Sequence, residues 1–235
     1  KAIENGFTKY TAVGGTPELK KAIQAKFKRE NNLDYDLSEI IVNCGAKHSL
    51  YNIFQAIISP DDEVIIPSPY WVSYPDMVLL AGGRPVLLPT KEENNFELEI
   101  SDLQKVITPK TRALILNSPS NPTGCVYSEK KLKALADFLA DKNILVISDE
   151  IYEHLLYDNA KFVSIAAISP EMKAKTIVVN GVSKVYSMTG WRIGYTAGPK
   201  DIIKALDTIQ WQSTSNPTSI AQAASVEALN GDQSS

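Results

Sequence analysis

Gly181-Val182-Ser183-Lys184-Val185-Tyr186-Ser187-Met188-Thr189-Gly190-Trp191-Arg192-Ile193-Gly194 is the stretch on which the reading of the fold turns. Directly before it, Thr176-Ile177-Val178-Val179-Asn180 is an apolar run that reads as a buried strand. Lys184 therefore falls on a turn just past a strand's C-terminal end, where ligands bind in open α/β sheets. A lysine held there beside apolar residues loses hydration of its charged form, which lowers its pKa and suits it to Schiff-base chemistry. Arg192, eight residues further on, carries a planar fork that matches a phosphate. On its own, Lys184 reads more readily as a solvated surface lysine, as nearly every lysine is. The companion segments decide between the two.

Working outward toward the N-terminus, Thr16-Pro17-Glu18-Leu19 opens a helix over Thr16 to Glu30, with Thr16 as its cap and Leu19, Ile23 and Phe27 on its apolar face. Glu39 to Asn43 reads as a strand, followed by Gly45-Ala46-Lys47-His48-Ser49 and the helical pattern Leu50, Ile53, Phe54, Ile57. Strand, glycine turn and helix together aim free backbone amides and a helix dipole at an anion, so Gly45, Ala46 and Lys47 are phosphate-loop candidates. As a motif this is weak, since it has neither the Walker nor the dinucleotide-binding spacing. Glu63 to Pro67 is the next strand, running into Pro67-Ser68-Pro69-Tyr70-Trp71 and a helix carrying Met77, Val78 and Leu80. An aromatic at that rim can lie on a planar ring. Core packing is the competing reading, and it is preferred for Tyr74.

Strands also read over Arg84 to Leu88 and Arg112 to Asn117, with a helix between them from Ser101. The second strand runs into Ser118-Pro119-Ser120-Asn121-Pro122-Thr123-Gly124, a stiff turn that presents Asn121. Glu129 to Lys142 is helical, with Leu132, Leu135, Phe138 and Leu139 on one stripe. Ile144 to Ser148 is a buried strand that delivers Asp149-Glu150-Ile151-Tyr152 to its C-terminal end. An acid there could bind magnesium, but only the adjacent Glu150 stands at ligand spacing. Past Arg192, Ile193 to Gly198 reads as a strand returning toward the sheet, and Asp201 to Trp211 and Ser219 to Leu229 as helices. His48 and His154 are isolated in sequence and read as structural. Strands alternating with helices imply a three-layer αβα domain, fold class α/β, with a mostly parallel sheet.

Composition removes several classes of function. Hydrophobic content of 44% and charged content of 22% describe an ordinary globular chain, and 235 residues suffice for one sizeable domain. A net charge of −3 argues against nucleic acid or an anionic membrane as the main partner. No apolar run is long enough to span a bilayer, and the two cysteines, Cys44 and Cys125, make neither a disulfide framework nor a zinc site, so a reducing, cytoplasmic setting is expected.

The Lys184 stretch, the Asn121-Pro122-Thr123-Gly124 turn and Asp149-Glu150-Ile151-Tyr152 together resemble the class I and II aminotransferases of fold type I, and the resemblance extends along essentially the whole chain. Within that family the chain looks most like bacterial-type aspartate aminotransferases, some of which also accept prephenate. The resemblance implies pyridoxal 5'-phosphate bound by Lys184 as a Schiff base. It further implies that Asp149 keeps the pyridine nitrogen protonated and that Asn121 and Tyr152 share the phenolic oxygen. Trp71 would lie on the ring near the substrate, while Arg192 and the Gly45-Ala46-Lys47 loop hold the phosphate. Lys47 is implicated in recognising an acidic substrate side chain. Tyr10, in a loop before the first helix, resembles a tyrosine that reaches the phosphate of a neighbouring subunit, which implies a homodimer. Amino-acid and 2-oxo-acid substrates follow, with aspartate and 2-oxoglutarate the first choice.

The chain also departs from the pattern. Gly181 stands where many relatives have a phosphate-contacting serine, leaving Ser183 as a substitute. Gln210-Trp211-Gln212 occupies the neighbourhood in which animal-type enzymes place a substrate-binding arginine. Residues 1–235 read as a large-domain fragment that lacks the family's N-terminal segment and C-terminal small domain with its α-carboxylate arginine, so weak or no activity is expected of the fragment itself. A decarboxylase or lyase on the same scaffold, a non-catalytic ligand-binding module, and an α/β domain with no cofactor are the alternatives.

Overall fold

The computed structural model describes residues 1–233. In chain order its elements are α1 (Pro17–Asn31), β1 (Ile40–Asn43), α2 (Ala46–Ile57), β2 (Glu63–Ser68), α3 (Ser73–Leu80), β3 (Arg84–Pro89), α4 (Ile100–Val106), β4 (Thr111–Asn117), α5 (Glu129–Leu139), β5 (Leu145–Asp149), α6 (Pro170–Lys175), β6 (Thr176–Gly181), β7 (Gly194–Ala197), α7 (Lys200–Gln212) and α8 (Ser219–Asn230). The strands form one sheet in the order β1-β7-β6-β5-β4-β2-β3. The β2·β3, β2·β4 and β4·β5 pairs are parallel, and β1 runs antiparallel to β7. This is the mostly parallel α/β sheet that the alternating pattern predicts. The chain divides into two units, one of Lys1–Ala56 with the residues from Val179 onward, the other of Ile57–Val178.

In the first unit, α1 begins where the Thr16 side chain accepts from the Leu19 amide and Pro17 fills the first turn, as the sequence predicts. It ends at Asn32, whose left-handed backbone stops the helix. Leu19, Ile23 and Phe27 have no exposed surface. Burying each of these side chains is worth about 1.5–3 kcal/mol, which outweighs the weak intrinsic helix preference of a β-branched or aromatic residue. Phe27 also meets Tyr35 and Tyr195 edge-on, with ring centroids 5.4 and 5.7 Å apart. In the β1–β7 pair, Asn43 stands opposite Gly194.

In the second unit, the core gathers Ile65 and Leu114 from the strands, Leu132, Leu135 and Leu139 from α5, and Leu103 from α4. The register of β4 against β5 sets Asn117 opposite Asp149, each the last residue of its strand. Two neighbouring strand ends thus present polar side chains at the same level of the sheet. The Glu129 helix stops at Leu139, three residues short of the expected end, because the chain turns there and the Lys142 amide donates to the Leu139 carbonyl. Leu80 closes α3 with 70% exposure rather than joining Met77 and Val78 in the core. Helix α6 has no counterpart in the sequence reading. It spans only six residues and is set by the Ser169 cap and Pro170 rather than by apolar periodicity.

Candidate active site

In the Ile57–Val178 unit the candidate groups converge on Asp149. Its carboxylate is 4% exposed at the end of β5. The Tyr74 hydroxyl donates to Oδ2 at 2.7 Å, and the Ile151 amide donates to Oδ1 at 3.3 Å. Burial, and then the negative charge of Asp149, push the Tyr74 phenol well above its ordinary pKa, so the proton of this bond stays on the tyrosine and Asp149 is the acceptor. The Asp149 main chain is also held, its carbonyl accepting from Asn117 Nδ2 at 2.9 Å.

Asn117 links this strand end to the proline turn, because its Oδ1 accepts the Asn121 amide at 2.8 Å. Asn121 Nδ2 in turn donates to the Tyr152 hydroxyl at 3.5 Å. Trp71, half-buried, packs edge-on against Tyr74 with centroids 5.4 Å apart. Trp71, Tyr74, Asp149, Asn117, Asn121 and Tyr152 therefore form one connected group. Glu150 is engaged elsewhere, with Oε1 accepting from Ser148 at 2.8 Å and Ser164 at 2.6 Å.

Two members of this group were not singled out from sequence. Tyr74 is core packing by its sequence pattern, and it is buried, at 2% exposed, but its hydroxyl donates to the candidate carboxylate. A buried tyrosine must find a partner for its O–H, and that was the available signal. Asn117 gave none, being simply the last residue of a predicted strand.

In the other unit the candidate groups meet around Gly45. That residue has φ +87, a left-handed conformation that suits glycine, and α2 starts directly after it. A Cβ on Gly45 would lie 2.5 Å from Arg192 Nη2, so the guanidinium comes this close to the turn only because the side chain is absent. Gly194 allows the same closeness on the other side, where a Cβ would overlap the Ala46 amide nitrogen and the Gly45 carbonyl carbon. Arg192 Nη1 donates to the Thr189 carbonyl at 2.7 Å, which fixes one edge of the fork. A cation and the leading amides of α2 lie together, an arrangement that favours an anion.

Lys184 is half-buried on the turn after β6, as its position in sequence predicts, and its carbonyl accepts the Ser187 amide at 3.2 Å. Ser183 is buried. Lys47 is exposed on the first turn of α2, and Tyr10 is 89% exposed. His48 is structural, as expected. Its Nδ1 accepts the Cys44 amide at 3.1 Å, and burial lowers its pKa.

A mostly parallel sheet with helices between its strands is the three-layer α/β arrangement, a class of fold in which ligands bind beyond the carboxyl ends of the strands. The chain belongs to the aminotransferase class I and II family, whose sequence profile it matches over residues 1–235. It is 61% identical over 234 residues to a probable aspartate/prephenate aminotransferase of Rickettsia bellii, covering 99% of this chain and 59% of the relative. It is 56% identical to an aspartate aminotransferase of Geobacillus stearothermophilus, with 99% and 59% covered. The crystal structure of the aspartate aminotransferase from Rhizobium meliloti superposes with a TM-score of 0.98 at 52% identity, covering 99% of this chain and 58% of that one. The chain thus spans about three-fifths of the length of the curated relatives it matches.

Proposed function

We propose that the full-length protein is a pyridoxal-phosphate-dependent aminotransferase that moves the amino group of an amino acid, aspartate first among the donors, to a 2-oxo acid such as 2-oxoglutarate. The observation that carries this reading is the buried Asp149 carboxylate with the Tyr74 hydroxyl 2.7 Å from Oδ2. An acid kept ionised by a donor is what a protonated pyridine nitrogen requires of its partner. Relatives named for aspartate and for aspartate/prephenate support aspartate as donor and prephenate as a further acceptor.

The residues present fit pyridoxal 5'-phosphate. The Gly45 cradle, which a Cβ would fill, and the Arg192 guanidinium against it suit the phosphate. Lys184 would bond the aldehyde carbon, Asp149 would face the ring nitrogen, Asn121 and Tyr152 the phenolic oxygen, and Trp71 the ring face. When bound, this group supplies an electron-accepting ring that acidifies the substrate Cα–H.

Everything else falls to the chain's own side chains. The Tyr74 hydroxyl donates to Asp149 Oδ2 and keeps its own proton, a contact that favours the ionised carboxylate as acceptor. Lys184 Nζ would take the proton from substrate Cα as general base and, once protonated, would hand it on as general acid. Arg192 and the Ala46 amide fix the anionic end so that this transfer occurs at constant geometry. Lys47, exposed at the start of α2, is suited to meet an acidic substrate side chain. Tyr10, 89% exposed, is suited to reach the phosphate of a second subunit in a homodimer. A cytoplasmic setting fits the two free cysteines, and none of the described helices is long and apolar enough to cross a membrane.

The test uses full-length protein with pyridoxal phosphate, followed by visible absorbance and by product analysis after aspartate and 2-oxoglutarate are added. A bound chromophore with glutamate and oxaloacetate formed in equal amounts is expected. Ammonia or carbon dioxide release in place of glutamate would replace the reading with a lyase or decarboxylase. No chromophore at all would overturn it.

A further inference from the structure

Gln210, on the inner face of α7, has no exposed surface, and its side-chain amide is bonded at both ends. Nε2 donates to the carbonyls of Val13 at 2.8 Å and Val42 at 2.9 Å. Oε1 accepts from Asn43 Nδ2 at 2.7 Å and from Asn52 Nδ2 at 3.4 Å. Two donations and two acceptances are all that a primary amide can make.

The chain of bonds continues through Asn43. Its Oδ1 accepts from Ser49 Oγ at 2.7 Å and from Thr196 Oγ1 at 3.1 Å, and its main-chain carbonyl accepts the Gly45 amide at 2.8 Å. The Ser49 amide closes back on the Gly45 carbonyl at 3.2 Å. One buried amide on α7 is therefore tied to the end of β1, the first and second turns of α2, strand β7 and the loop at Val13, all within the same unit.

Apolar packing is non-directional, whereas a hydrogen bond weakens steeply when bent. The segment from Gly45 to Lys47 has a left-handed residue directly before the first turn of α2, and the direction of the Ala46 and Lys47 amides is what an anion would read. We propose that Gln210 and Asn43 are positioning residues that set the orientation of the Gly45–Lys47 anion loop. The inference rests on the reading of that loop as the phosphate site.

Pyridoxal phosphate and pyridoxal differ only in the phosphate, so the ratio of their affinities reads the groups that hold the phosphate, and a change caused by a residue bonded to the Gly45 segment and not to Arg192 reports on that segment. Full-length wild type, Gln210→Leu and Ser49→Ala are titrated with both compounds, and thermal melts are recorded without ligand. Gln210→Leu keeps the bulk but leaves the Val13 and Val42 carbonyls and Asn43 Nδ2 without their partner. It is expected to narrow the preference for the phosphorylated compound by about tenfold or more, with pyridoxal affinity nearly unchanged. Ser49→Ala removes a single donor to Asn43 and should narrow it less, which keeps the test open if the leucine variant does not fold. Parallel loss of both affinities, or a lowered melting temperature with the preference intact, would overturn the inference and leave Gln210 a structural residue. A wild type with no preference for the phosphorylated compound would instead sink the phosphate-loop reading itself.

Discussion

Replacing Tyr74 by Phe removes one hydroxyl and leaves the ring, so the edge-on contact with Trp71 at 5.4 Å survives. What goes is the donor to Asp149 Oδ2 at 2.7 Å, at a carboxylate only 4% exposed, where solvent gives little compensation. Hydrogen bonds to charged groups contribute about 1.5–3 kcal/mol. If that interaction serves to hold Asp149 charged and aimed at the ring nitrogen, its loss lowers the rate of Cα proton transfer by about tenfold to a hundredfold. The deficit should widen toward acid pH, because the lost donor favoured the ionised carboxylate over its protonated form. The assay is the single-turnover half-reaction of full-length enzyme with aspartate, followed by stopped-flow absorbance across a pH series, with pyridoxal phosphate affinity measured separately. Affinity should fall less than rate. A rate within about twofold of wild type at every pH would refute the reasoning, since the hydroxyl would then only satisfy a buried tyrosine and do nothing for the chemistry.

Gly45→Ala forces a side chain to within 2.5 Å of Arg192 Nη2 on a backbone at φ +87, so the guanidinium must swing away. A left-handed non-glycine residue costs about 1–2 kcal/mol besides, and pyridoxal phosphate affinity should drop about tenfold, with unchanged affinity counting against the cradle. His48 is held neutral by burial and accepts the Cys44 amide, so its folded-state pKa lies below the unfolded value. Such a group contributes stability above the unfolded pKa, and that contribution is lost as pH falls below about 6.5 toward the lowered folded value. Thermal melts of wild type should therefore fall off more steeply on the acid side than those of His48→Asn, and superimposable pH curves would contradict this. Asp149→Ala should cripple Cα proton transfer more than cofactor retention, and equal loss of both in absorbance titration and turnover would make Asp149 a plain anchor.

Most of the architecture was legible because each element carries its own local signal. Thr16 and Pro17 mark a helix start, Leu19, Ile23 and Phe27 mark its buried face, and the β-branched runs before Gly45 and Lys184 mark strands. The positions of Asp149, Asn121 and Lys184 were legible for a related reason, since each lies at or just past the point where a strand pattern stops and turn residues begin. What stayed hidden depends on pairing across the fold. Asn117 matters because the β4–β5 register sets it opposite Asp149, and nothing in its neighbours announces that. The ring of Tyr74 belongs to the core, as its sequence pattern predicts, while the partner of its hydroxyl lies 75 positions away in sequence. Gln210 carries no local signal, because its bonds to Asn43 and Val13 span separations of 167 and 197 residues.

The central claim is that Lys184 is the amine that holds the cofactor. Full-length protein loaded with pyridoxal phosphate, reduced with borohydride and digested for peptide mass mapping, tests it without reference to turnover. The account predicts a stable pyridoxyl adduct on the peptide containing Lys184 and its absence from the Lys184→Ala protein. An adduct on a different lysine, or none on a protein that visibly carries the chromophore, would contradict it.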